Sequence, residues 1–281
     1  MTRLTEDSYT PEVRNVEQGE LIDGRYLVQA FLGMGIVSVV YLAIDIEQAR
    51  PVAIKLLRSR FLEMPGLAAP GASYPMAGLL QREIHVHSDI HHPNIVELLG
   101  YGTWEDRPYA VLEYVEDPSI ESQFTDPLDP AQALPIFHQV LDALAYLHDS
   151  GILHRDLKPE HIHHGPERGV KLLDLGLAMR LDDVDSTSIV SIMGSQRYGA
   201  PEQHRLQGRE VHATTRSDVF SAAASLERVL YGKDARMGDG SAVDAQLPPA
   251  LITLLRRAMS VDPDDRPADA REFDGQLAAL A

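Results

Sequence analysis

Apolar residues in the early part of the chain fall in short runs between turn signals, whereas later they recur every three or four positions. Arg25–Phe31, Val37–Ala43, Val52–Leu57, Ile95–Tyr101 and Tyr109–Tyr114 are short and rich in Val, Ile, Leu and Tyr, which predicts β-strands. Met76–Ile90 carries Leu79, Leu80, Ile84 and Val86 among charged residues and predicts a helix, preceded by a Pro- and Gly-bearing loop over Glu63–Pro75. In Ala131–His148 the residues Leu134, Phe137, Val140, Leu141, Leu144 and Leu147 describe one buried helical face. Asp218–Tyr231 and Pro249–Met259 repeat that pattern, and Ala268–Leu280 closes the chain. Strand-like runs near Ile162 and at Val170–Leu173 flank a turn over His163–Arg168. The pattern predicts an α+β chain: a sheet-rich lobe over about 24–113, a connection over about 114–118, and a larger, mainly helical lobe over about 119–281. Residues 1–23 show no periodicity and read as a flexible acidic tail.

Charge narrows the classes of partner. The 281 residues include 25 Lys plus Arg against 42 Asp plus Glu, a net charge of −17. Such a surface repels a nucleic-acid backbone and an anionic membrane face, so neither is an expected partner. Cysteine is absent, which removes disulfides and thiolate metal sites. No apolar run approaches the roughly 18 residues of a membrane span, and Met1–Glu20 is unlike a signal peptide. A cytoplasmic globular protein is the expectation.

Some segments carry chemistry. Gly33-Met-Gly35-Ile-Val-Ser38-Val-Val40 lies between two predicted strands, where glycines let backbone amides approach phosphates, although two glycines also suit a plain hairpin turn. Pro51-Val-Ala-Ile-Lys55 ends an apolar strand on an ammonium that can hold nucleotide phosphates, and Glu83 on the following helix could fix it. His154-Arg155-Asp156-Leu157-Lys158-Pro159-Glu160-His161 falls in a predicted loop, and Asp174-Leu175-Gly176 closes a later apolar strand. A carboxylate at Asp156 can orient a substrate hydroxyl, Lys158 can stabilise a transferring phosphoryl group, and Asp174 can hold a divalent metal.

These segments, in this order, resemble the eukaryotic-like protein serine/threonine kinases of bacteria. The similarity extends to His91–Val96 (H-H-P-N-I-V), Ala200–Glu202 (A-P-E), Ser217–Ser221 (S-D-V-F-S) and Asp262–Pro267 (D-P-D-D-R-P), and covers residues 24–281. It implies a two-lobed kinase fold and transfer of the γ-phosphate of ATP to protein Ser or Thr hydroxyls, autophosphorylation included, with Mg²⁺ or Mn²⁺. By the same resemblance Gly33, Gly35, Ser38, Val40, Ala53, Lys55, Glu83 and His163 would serve ATP, with backbone groups of Glu113 and Val115 on adenine beside a gatekeeper Leu112. Asp156 matches the catalytic base, Lys158 its companion, and Asp174 with His161 the metal ligands. Ser186, Thr187, Ser188 and Ser191 are candidate phosphorylation sites in an activation loop, with Arg155 placed to receive the phosphate, and Ser195 would face substrate. Glu202 and Arg266 would form a bracing pair, with Asp218 as an anchor beneath the loop. No sensor domain is expected in this chain, which leaves regulation to a partner, to loop phosphorylation or to a separate receptor.

Departures from the family pattern frame the alternatives. Ser38 replaces a third glycine. His161 stands where the family has an Asn on the second metal, and imidazole suits Mn²⁺ better than Mg²⁺. His163 occupies the place of an aliphatic floor under adenine, unless a one-residue shift of the strand brings Ile162 there. Lys233–Leu247 leaves little room for a helix the family usually has. A pseudokinase acting as a scaffold or allosteric partner is the competing reading, and a small-molecule phosphotransferase a further one. Retention of Lys55, Asp156, Lys158 and Asp174 favours the enzyme.

Overall fold

The structure is a computed structural model and describes residues 16–59, 78–181, 197–203, 213–233 and 246–280. The chain divides into two compact units. Among the described residues the first holds 16–59, 78–84 and 98–114, and the second holds 85–97 and the described residues from 115 onward.

The first unit is a six-stranded antiparallel sheet. Its strands are β1 (Leu21–Ile22), β2 (Tyr26–Met34), β3 (Ser38–Asp45), β4 (Arg50–Leu57), β5 (Leu98–Trp104) and β6 (Arg107–Glu113), in the order β1-β2-β3-β4-β6-β5. On β3, Val39, Tyr41, Ala43 and Asp45 are buried while Val40, Leu42 and Ile44 are half-buried, the two-residue period of a pleated strand. The central strands β4 and β6 are buried along nearly their whole length, with Val52, Ile54, Leu56, Tyr109 and Val111 in the core. Helix α1 (Gly78–His87) contributes to this unit through Ile84. The register shifts at Phe31/Gly33 on β2, next to the glycine-bearing turn.

The second unit has one main apolar core built on α3 (Pro130–Asp149), α4 (Thr215–Tyr231), α5 (Pro249–Ala258) and α6 (Ala270–Ala278). The short helix α2 (Ile120–Gln123) precedes them. Asp129 caps α3 by accepting from Ala131 N–H at 2.8 Å, and Pro130 at the first position needs no donor. The predicted face of α3 is buried at Phe137, Val140, Leu141, Leu144 and Leu147, while Leu134 is half-buried against the same core. Helix α4 departs from its one-faced expectation: it begins at Thr215, not Asp218, and every residue from Ser217 to Tyr231 except the half-buried Phe220 is buried. Its start is set by Thr214 N–H donating to Ser217 Oγ at 3.0 Å, and its buried hydroxyls are satisfied internally, Ser225 Oγ donating to Ser221 O at 2.8 Å.

Between α3 and α4 lie the pair β7 (Ile152–Leu153) with β10 (Met179–Arg180), and the hairpin β8 (Ile162–Gly165) with β9 (Gly169–Leu172). The hairpin is longer than predicted, since His163 and His164 are strand residues rather than turn residues. The predicted strand at Ile95 likewise begins only at Leu98. Ile95 and Val96 belong to the second unit, where Leu172 N–H donates to Asn94 O at 2.8 Å and Val96 N–H to Leu172 O at 2.9 Å.

Candidate active site

In the first unit the turn between β2 and β3 closes through Gly35 N–H donating to Ser38 O at 2.9 Å, with Ser38 buried and Gly33 paired in register with Val40. Neither Gly33 nor Gly35 has a positive φ. A Cβ on Gly33 would meet nothing within 4 Å, and one on Gly35 only Ser38 at 3.8 Å. The chain's own packing therefore does not demand glycine here. Open space above the backbone is what a closely approaching ligand needs. On β4, Ala53 is buried and Lys55 sits between Val40 and Ala110 of the neighbouring strands. Lys55 Nζ lies 2.6 Å from Glu83 Oε1, and the two side chains are only 8% and 5% exposed. Glu113, predicted to offer backbone groups, ends β6 opposite Val52 and next to the buried Leu112.

In the second unit a fully buried carboxylate organises the loop after β7. Asp218 accepts from His154 N–H at 2.9 Å and Arg155 N–H at 2.8 Å, and its Oδ2 lies 3.0 Å from His148 Nε2. Burial alone would push its pKa up, but these hydrogen bonds and the nearby His148 outweigh it and hold the carboxyl below its ordinary value. Arg155 is held at φ +68°, a conformation that costs a non-glycine residue of order 1 kcal/mol. Gln203 supports the same backbone, donating from Nε2 to Arg155 O at 2.9 Å while accepting from Ala200 N–H at 3.0 Å. His148 and Gln203 were not singled out in the sequence; the signal for His148 is a polar residue at the end of an otherwise apolar helical face.

The loop so held brings Asp156, Lys158, His161 and Asp174 together. Lys158 Nζ lies 3.1 Å from Asp156 Oδ2. His161 Nδ1 lies 3.1 Å from the Asp156 carbonyl oxygen, which can only accept, so this nitrogen is the donor. The other ring nitrogen, Nε2, lies 3.6 Å from Asp174 Oδ2, too far for a hydrogen bond. A ring nitrogen and a carboxylate oxygen at that separation are a donor pair that a divalent cation could share. Asp174 has φ +67° and accepts from Gly176 N–H at 2.9 Å, and Leu173 N–H donates to His161 O at 2.8 Å. Among the described residues no group of three His, Asp or Glu side chains could hold an ion unaided. A metal here would take further oxygens from phosphate and water, as Mg²⁺ and Mn²⁺ usually do.

His163 sits on β8 opposite Lys171, with Nδ1 2.6 Å from the Asp117 carbonyl oxygen. Burial holds its pKa below the ordinary histidine value despite that bond. The one-residue shift does not occur: Ile162 is fully buried in the unit's core, paired with Leu172, which leaves His163 at the half-buried register. A Cβ on Gly165 would collide with the Asp117 carboxylate, so any larger residue there would require the Asp117 side chain to move. Val115 is buried. Arg266 grips Glu202 with two parallel bonds of 2.7 and 2.8 Å, and Ser217 Oγ donates to the same carboxylate at 2.7 Å. Ser186, Thr187, Ser188, Ser191 and Ser195 lie outside the described residues, as does most of Lys233–Leu247.

This arrangement is that of a protein kinase domain, and the chain belongs to that family: residues 26–273 match the protein kinase domain. Across 92% of its length the chain is 34% identical to the serine/threonine-protein kinase pkn2 of Myxococcus xanthus, covering 33% of that protein. It is 31% identical over 92% of its length to PrkC of Bacillus subtilis, covering 41% of it. Against PknL of Mycobacterium tuberculosis it is 29% identical over 95% of its length, covering 68% of that kinase. The chain thus spans a third to two-fifths of the Myxococcus and Bacillus relatives. These similarities place it with the bacterial, eukaryotic-like serine/threonine kinases. Among the described residues no helix is long and apolar enough to cross a membrane.

Proposed function

We propose that the chain is an ATP-dependent protein serine/threonine kinase acting in the cytoplasm on protein substrates and on itself. The observation that carries this reading is the cluster of Asp156, Lys158, His161 and Asp174, held in place by the buried Asp218. In the first unit the turn at Gly33, Gly35 and Ser38, with Val40 and Ala53, cradles the nucleotide, and Lys55, fixed by Glu83, holds its phosphates. Backbone groups of Glu113 and Val115 and the ring of His163 are the groups that the family resemblance assigns to adenine.

The reaction replaces one P–O bond by another. The Ser or Thr oxygen of the substrate bonds to the γ-phosphorus, the bond from that phosphorus to the β–γ bridging oxygen breaks, and ADP leaves. Asp156 orients the hydroxyl and accepts its proton, while Lys158, 3.1 Å from that carboxylate, stabilises charge on the transferring group. Asp174 and His161 are the residues that would hold Mg²⁺ or Mn²⁺, which neutralises phosphate charge when bound. Glu202, Arg266 and Asp218 brace the unit and touch no reactant. A regulatory partner and phosphorylation at Ser186, Thr187, Ser188 or Ser191 are the proposed controls.

The reading is tested by incubating the pure protein with ATP, each metal and a generic protein acceptor, then identifying the phosphorylated residues by mass spectrometry. Phosphoserine and phosphothreonine are expected. Phosphotyrosine alone, or binding of ATP with no transfer in either metal, contradicts it, the second outcome pointing to a scaffold.

A further inference from the structure

Arg58 follows the last residue of β4 and reaches back to the turn between β2 and β3. The residue is only 5% exposed, and its Nη1 donates to two successive carbonyls, Gly35 O at 3.2 Å and Ile36 O at 3.3 Å. Its own backbone N–H donates to Val37 O at 2.9 Å, so three consecutive carbonyls of the turn are tied to one residue.

That pattern has a consequence for the opposite side of the turn. A trans peptide unit carries its C=O and its N–H in opposite directions. With the carbonyls of Gly35 and Ile36 both aimed at one guanidinium nitrogen, the N–H groups of Ile36 and Val37 are both turned away from it. Consecutive amides turned the same way form an anion cradle. Along an ordinary strand they would alternate. The surrounding glycines leave this turn many competing conformations, and a tether that selects one of them lowers the cost of binding.

We propose that Arg58 is a positioning residue for phosphate recognition: it fixes the Gly35–Val37 backbone so that the amides of Ile36 and Val37 converge on the nucleotide's phosphates, without touching the nucleotide itself. The proposal rests on the nucleotide-binding reading above and assigns a role to a residue outside the motifs of that reading.

The test compares a ligand with phosphates and one without. Binding of ADP with Mg²⁺ and of adenosine is measured by calorimetry on the wild type, Arg58→Met and Arg58→Lys. Met keeps the buried stem without the donors; Lys keeps the charge without the planar fork. Arg58→Met is expected to weaken ADP about tenfold, the worth of one charge-assisted hydrogen bond, and to leave adenosine within about twofold. Arg58→Lys should weaken ADP about threefold and leave adenosine unchanged. Equal losses for both ligands would mean general damage to the sheet, and wild-type ADP affinity in the Lys variant would mean that charge alone matters; either overturns the proposal. If the Met variant does not fold, the Lys variant decides by the same ratio. A wild type that binds neither ligand overturns the kinase reading itself, a result distinct from failure of the tether alone.

Discussion

His161 Nε2 lies 3.6 Å from Asp174 Oδ2, with the opposite ring nitrogen fixed on the Asp156 carbonyl. Imidazole is a poor partner for Mg²⁺ and a good one for softer divalent ions. The protein is expected to work better with Mn²⁺ than with Mg²⁺, and His161→Asn to shift the ratio of the two rates toward Mg²⁺ by about tenfold. Rates measured over a titration of each metal check this. An unchanged ratio in the variant would show that the ring takes no part in holding the metal.

Lys55 and Glu83 are both buried, so removing one takes from the other its ion-pair partner at 2.6 Å. Lys55→Met is expected to abolish transfer and to cost roughly 3–5 kcal/mol of stability. Replacing both, as in Lys55→Met with Glu83→Leu, should recover most of that stability and none of the activity. Denaturant unfolding of the single and double variants, run as a cycle, separates the two effects. Additive losses would contradict a coupled pair.

Asp218 holds the loop through the backbone of His154 and Arg155, at distances of 2.9 and 2.8 Å. Asp218→Asn removes the charge and turns part of the acceptor into a donor. Displacement of Asp156 should lower kcat about a hundredfold, with a smaller change in the KM for ATP. Steady-state kinetics on a variant shown to be folded by circular dichroism makes the comparison. A loss confined to KM would be the wrong signature for a support of the catalytic loop.

Acid should weaken the fold in two separate windows. His154 is fully buried, and burial holds its pKa below the ordinary 6.5. The unfolded chain then takes up the proton first, so this contribution is complete above about pH 6.5 and declines as the pH falls below it. Glu202 is pushed up by burial but pulled further down by Arg266 and Ser217, so its contribution persists above its ordinary 4.5 and is lost only in stronger acid. A melting temperature that falls between about pH 7 and 5.5, with a shallower fall in His154→Phe, is the expected result. An identical slope in that variant would place the titration elsewhere.

Much of this architecture was legible from periodicity. The strands β2, β3, β4 and β6 and the helix α3 follow from alternation and from i, i+3, i+4 spacing, because each hides one face or lies in a sheet centre. The sequence could not show that Ile95 pairs with Leu172, since a bridge between segments so far apart leaves no local pattern. Nor could it show α4 correctly: its Ser, Ala and Arg residues read as an exposed face, yet that helix is surrounded. The pairs β7 and β10 are two residues each, too short for any period. Within the site, the motifs located Lys55, Asp156, Lys158, Asp174 and the anchor Asp218, but not His148 beside that anchor, nor the return of Arg58 onto its neighbouring turn. Those are properties of distance in space, and a motif records only distance along the chain.

Transfer of label from γ-labelled ATP decides whether this chain moves a phosphoryl group. The wild type, Asp156→Asn and Asp174→Ala are incubated with labelled ATP in Mg²⁺ and in Mn²⁺, and label on protein Ser and Thr is counted. Label in the wild type and none in either variant is the predicted result. Equal label in the wild type and Asp156→Asn, or none in the wild type with either metal, would contradict the account.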